Sequence, residues 1–205
     1  MRYIKLAVTI AFFIFWVVLL QKEFAQVKLR LLNHFMPSSY EELLWVNGGG
    51  KEFDPKTLEK YSRYFQTLKW ILPKHSEPYE LLGVCYYYLG QDEKARKVLE
   101  KAVELNSNFF WSRYNLGVFY LKKQDYPRAA GHFKAALGVS PQETMAQIFQ
   151  SKIYQDILRS NHLTAERLAN QLRLGYQQAM IFLKLSSEGN TPPESFQNQL
   201  QLRMF

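Results

Sequence analysis

The chain is self-similar at an offset of 34 residues, and no gap is needed to align the two copies. Leu82 falls on Leu116, Gly83 on Gly117, Val84 on Val118 and Tyr86 on Tyr120. Further on, Ala95 falls on Ala129, Leu99 on Phe133 and Ala102 on Ala136, while Lys94 meets Arg128 and Ser107 meets Pro141. A fixed period of this size marks a stacked-repeat architecture. Leu-Gly-x-x-Tyr places three residues on one face of a first helix, with the glycine expected to let a neighbouring backbone approach closely. Ala-x-x-x-Leu/Phe-x-x-Ala puts two small residues and one bulky one on a single stripe of a second helix. Small residues opposite large ones let antiparallel helices interlock. Gly90-Gln91-Asp92 and Gln124-Asp125-Tyr126-Pro127 supply a turn, a cap and a first-turn proline. One such pair cannot bury its own apolar face, so the units must stack.

This pattern resembles the tetratricopeptide repeat (TPR). Repeat one runs from about Ser76 to Phe109 and repeat two from Phe110 to Glu143, which together form the segment 76–143. Tyr79 is the usual first-helix aromatic; repeat two departs there, with Arg113 in register beside Trp111 and Tyr114. Both flanks read as degenerate units. Upstream (38–75), Asp54-Pro55 starts a helix whose Tyr61, Phe65 and Leu68 precede Ala95, Leu99 and Ala102 by the same 34 residues. Its first helix, roughly Ser39 to Val46, is cut short by Asn47-Gly48-Gly49-Gly50. Downstream (144–185), Ser151-x-x-Tyr154 echoes Gly117-x-x-Tyr120. A second helix is expected from about Leu163 to Leu174 and a capping helix from Tyr176 to Leu185. Residues 186–205 read as a linker, Ser186 to Pro193, and a tail carrying Phe196, Leu200, Met204 and Phe205. That tail could dock as a helix or fray, and the mobile form is favoured.

The N-terminal stretch (1–33) holds an uncharged run from Leu6 to Leu20, flanked by Arg2 and Lys5 on one side and Lys22 on the other. No small-x-small cleavage site follows it, so it reads as an uncleaved transmembrane helix rather than a signal peptide. The expected fold is therefore all-α: an N-terminal transmembrane helix, then a short TPR-type α-solenoid of stacked helix pairs. The positive N-tail favours retaining the N-terminus inside. The expected location is a single-pass membrane protein with the repeats on the non-cytoplasmic side, in the bacterial inner membrane if the source is prokaryotic.

The resemblance also implies a site, because the exposed face of the first helices lines a concave groove in TPR solenoids. That face carries Glu80, Val84, Tyr87 and Tyr88 in repeat one, and Trp111, Tyr114, Asn115, Val118 and Lys122 in repeat two. Ile148 continues it in the third unit. Large aromatics with polar tips are favoured interface anchors. The expected occupant is an apolar or aromatic peptide, or another helix, and Ala at Trp111 and Tyr114 should abolish its capture without unfolding the domain. The alternative is that these residues pack against the next helix pair, the upstream segment or the tail. A carboxylate clamp is disfavoured: Asn115 fits one position, but Glu80 and Val84 stand where a basic residue and an Asn are wanted.

Net charge is +8, yet the bases around Lys94–Lys101 alternate with acids, which gives a solvated helix face and not a phosphate-binding stripe. No nucleic acid is expected as a partner; lipid, met through the N-terminal helix, is. Gly48-Gly49-Gly50-Lys51 lacks the spacing of a phosphate loop, with Glu52 where Ser or Thr belongs. The four histidines are isolated and there is one cysteine, so neither a metal site nor a cofactor is expected, and no catalytic set can be assembled. The functional expectation is a noncatalytic membrane-anchored scaffold for protein–protein interaction. The alternative is an accessory subunit or fragment of a membrane enzyme complex, such as an envelope glycosyltransferase. Homo-oligomerisation through the solenoid face stays open.

Overall fold

The structure, a computed structural model, describes residues 2–35, 55–160 and 163–203. Among them every regular element is helical: α1 (Arg2–Phe35), α2 (Pro55–Ile71), α3 (Glu77–Tyr88), α4 (Asp92–Leu105), α5 (Phe110–Lys122), α6 (Tyr126–Leu137), α7 (Pro141–Gln150), α8 (Lys152–Ser160), α9 (Ala165–Ser187) and α10 (Glu194–Gln199). The expected helix at Ser39–Val46 and the Gly48–Gly50 connector lie outside the described residues.

The period sets the core. Ala95, Leu99 and Ala102 of α4, and Ala129, Phe133 and Ala136 of α6, are all fully buried. A Cβ placed on Gly83 would come within 2.5 Å of the Leu99 side chain, and one on Gly117 within 2.9 Å of the Phe133 ring. The close approach that the glycines were expected to allow is thus made by a side chain rather than a backbone. Leu99 and Phe133 are knobs, and the two glycines are their holes. The turns repeat as well: Gly90 and Gln124, at the same place in the two units, adopt positive φ of 69° and 59°. Asp125 then caps α6 by accepting the Arg128 amide hydrogen at 3.1 Å. Gln91, at the matching place before α4, makes no side-chain cap.

α2 packs on α3 and buries Tyr61, Phe65 and Leu68. Beyond repeat two the period fails. Ser151 is extended (φ −77°, ψ 118°) and ends α7; its hydroxyl bonds Glu77 at 2.7 Å. The same hydroxyl accepts the Tyr154 amide hydrogen at 3.4 Å, a local side-chain-to-backbone bond that starts a new helix rather than continuing the old one, and the helix through Tyr154 becomes α7 and α8. Where a helix and a separate cap were expected, α9 runs unbroken for 23 residues. Its Gly175 does not break it, because that glycine faces the Phe110 and Trp111 rings, each 3.0 Å from a Cβ built there. α9 returns along α6.

The described side chains of α1 between Thr9 and Gln21 are exposed. Among the described residues no helix is long and apolar enough to cross a membrane, so the expected transmembrane helix is not found there. The uncharged run Leu6–Leu20 makes about 22 Å of helix at ~1.5 Å per residue, against a hydrocarbon core of ~30 Å.

Candidate functional site: the face of the first helices

α3 and α5 lie side by side as first helices, and the wheel reading places ten residues on their outer face and on α7. Seven of them, Glu80, Val84, Trp111, Tyr114, Asn115, Val118 and Ile148, are fully buried. Tyr87, Tyr88 and Lys122 are half-buried.

Trp111 and Tyr114 belong to the interior. Trp111 packs edge-on to Phe110 (5.0 Å between centroids) and to Tyr114 (5.4 Å) beneath α9. Tyr114 in turn donates to Gln178 Oε1 at 2.6 Å. Alanine at Trp111 would leave a large cavity, with a cost of about 3–5 kcal/mol. The double-alanine test expected from sequence would therefore unfold the domain rather than probe a groove.

Glu80 joins three helices. It accepts hydrogen bonds from Ser112 (2.7 Å), Tyr154 (3.0 Å) and Asn115 (3.3 Å). Burial pushes its pKa up to about 8, against the opposing pull of the Ser112 and Tyr154 hydroxyls. At neutral pH the carboxyl keeps its proton, and the floor of this face is uncharged. Tyr114 is likewise pushed up to about 12 by burial.

What covers the face is the C-terminal segment. The mobile tail favoured by the sequence reading is replaced by α10 and an irregular strand, with Leu200 extended (φ −85°, ψ 124°). Leu200 and Leu202 are buried while Gln201 between them is exposed, the alternation of an extended chain. Asn115 closes a two-bond clasp on one residue: its Oδ1 accepts the Arg203 amide hydrogen at 2.8 Å, and its Nδ2 donates to the Arg203 carbonyl at 2.6 Å. Tyr88 donates to the Leu202 carbonyl at 3.0 Å, and Lys122 Nζ to the Gln197 carbonyl at 2.6 Å. Gln178 adds a longer bond to the Gln199 carbonyl at 3.4 Å.

Three of the ten sequence-derived residues, Tyr88, Asn115 and Lys122, thus converge on one segment of main chain. Gln178 was missed because α9 lies outside the repeat register. Its only signal in the sequence is a polar residue on an otherwise apolar helix stripe. Among the described residues no group of three His, Cys, Asp or Glu side chains could hold a metal ion. His132 lies flat against Tyr120 (5.4 Å, 9° between planes), and burial pushes its pKa down to about 4.

Helix pairs in period, glycine holes filled by the partner helix, and a first-helix face that holds an extended segment define a helical-repeat solenoid of the protein-interaction class. The family described as TPR repeat matches residues 83–124, and the family described as tetratricopeptide repeat matches residues 112–144. Residues 83–144 thus carry tetratricopeptide repeats. None of the curated proteins matches the chain.

Proposed function

We propose that this protein is a noncatalytic scaffold, tethered to a membrane by α1, whose first-helix face holds an extended segment of a partner protein. The observation that carries the reading is that Tyr88 and Asn115 bind main-chain atoms of the extended residues Leu202 and Arg203, while Lys122 and Gln178 bind carbonyls of the helical turn just before them. Groups aimed at main-chain donors and acceptors, beside buried aliphatic positions, form a peptide-recognition surface.

A photo-crosslinking residue in place of half-buried Tyr87, used in intact membranes, tests it. A protein partner should be trapped, and trapping should be lost when Tyr88→Phe and Lys122→Met are added, since these remove two main-chain bonds without opening the core. Trapping that survives both changes removes the face from the account.

The tether rests on α1. Phe12 through Leu20 are nine consecutive exposed large apolar residues, more than two turns, so no side of this stretch is packed. An apolar surface of that extent, open on all sides, calls for lipid. Because the uncharged run is short, the anchor is proposed to engage the bilayer with help from flanking residues or local thinning. Export of the repeats remains part of the proposal. A reporter active only outside the cytoplasm, placed in the Glu188–Thr191 linker, should be active; a silent fusion reverses the orientation.

A further inference from the structure

We infer that the tail from Gln197 to Arg203 is a resident stand-in for the partner. It occupies in cis the place the partner takes, and the partner supplies an extended segment of the same chemistry: two aliphatic side chains two positions apart, followed by a basic residue. This rests on the function proposed above and names the ligand class for the same face.

Each part of the tail has a counterpart in such a segment. The hydrogen bonds run to the Gln197, Gln199, Leu202 and Arg203 carbonyls and to the Arg203 amide. Main-chain bonds are blind to side-chain identity, so a foreign strand can take those made to Leu202 and Arg203 one for one, whereas the Gln197 and Gln199 carbonyls belong to α10. Selectivity falls to Leu200 and Leu202, both without solvent exposure, and to Arg203, 8% exposed. The Arg203 charge acts on the buried Tyr114 hydroxyl, partly offsetting the effect of burial, and places a basic position one residue after the second aliphatic.

The tail is also mounted as a separable piece. It hangs from α9 by Glu188–Pro193, a connection that includes Gly189 at φ 72° and two prolines. A segment tethered this way competes at an effective concentration on the order of millimolar. The face is therefore weakened toward other strands without being closed to them.

The test uses the full chain with Leu200→Asp and Leu202→Asp, which expels the tail. The probe is a fluorescein-labelled synthetic peptide of residues 194–203, followed by anisotropy. The substituted chain should bind the probe about tenfold tighter than the unsubstituted chain or better, and Asp at the two leucines of the probe should abolish binding. A folded variant that ignores the probe, or equal binding by both chains, overturns the inference.

A second measurement needs no variant. In native-state hydrogen exchange of the unsubstituted chain, the Arg203 amide should open well before amides of α5 such as Leu116. Exchange of Arg203 only with global unfolding makes the tail an integral part of the fold and also overturns the inference. So does a concentration-dependent dimer in which the tail is exchanged between copies. If tail release leaves partner crosslinking at Tyr87 unchanged while Tyr88→Phe with Lys122→Met abolishes it, the tail inference fails and the proposed function stands. If the groove changes have no effect either, the proposed function itself fails.

Discussion

Gly117 and Gly131 lie one on each helix of the second repeat and respond oppositely to a single methyl group. At Gly117 the new Cβ would meet the Phe133 ring at 2.9 Å from two ring carbons, and that ring is fully buried. Gly117→Ala should lower stability by about 1–3 kcal/mol through overpacking. At Gly131, in the interior of α6, nothing lies within 4 Å. Gly131→Ala should raise stability by about 0.5–1 kcal/mol by relieving the entropic weakness of a helical glycine. Urea titration of both variants checks the pair. Gln124 holds a left-handed turn that glycine fills in the other repeat, so Gln124→Gly should stabilise by up to about 1 kcal/mol in the same assay. Glu80 gives the pH dependence. Its folded pKa is raised from 4.5 to about 8, so the folded state binds the proton more tightly than the unfolded one. Its contribution is fully present below about pH 4.5 and is lost as pH rises toward 8. The loss is on the order of a few kcal/mol. Glu80→Gln stays neutral and can still accept from Ser112, Tyr154 or Asn115. It should flatten the fall in melting temperature between pH 5 and 8, followed by circular dichroism; an unchanged slope would show that Glu80 does not titrate in that window.

At the scale of elements, α3 to α6 were legible in the sequence because each buried position has a residue type that only one packing satisfies. Gly83 and Gly117 need large neighbours, and Leu99 and Phe133 need holes. The helical wheel also found the outward face of α3 and α5, and with it Tyr88, Asn115 and Lys122. It could not say what lies on that face, since a wheel reports direction and the covering strand has no period. The break at Ser151 was hidden because its hydroxyl caps the next helix at the Tyr154 amide and also bonds Glu77, 74 residues away, and neither role shows in the repeat period. α9 was read as two helices because Gly175 looks like punctuation until Phe110 and Trp111 are seen against it. That contact makes a prediction for the whole helix. Gly175→Leu should lift α9 from α5 while α3 and α4 stay folded. The change would be read as new acrylamide quenching of Trp111 beside the already exposed Trp70, and unaltered quenching would mean α9 tolerates the bulk.

At the scale of the molecule, α1 and the repeats differ in how they treat apolar surface, and under the proposed tether α1 meets lipid. The repeats bury their apolar surface internally, whereas the apolar residues of α1 from Phe12 to Leu20 are exposed. Lys in place of Ile14 and Val17 should move the protein from the carbonate-resistant membrane fraction to the extract, and the repeats should melt as before. A protein that stays in the pellet would be held by something other than this helix.

The protonated state of Glu80 has one more result. With a neutral floor, and with Lys122 spent on a carbonyl rather than a carboxylate, the grip on an incoming strand contains little charge–charge attraction. Raising ionic strength should leave that grip intact, even as contacts made by the rest of this +8 surface fade away.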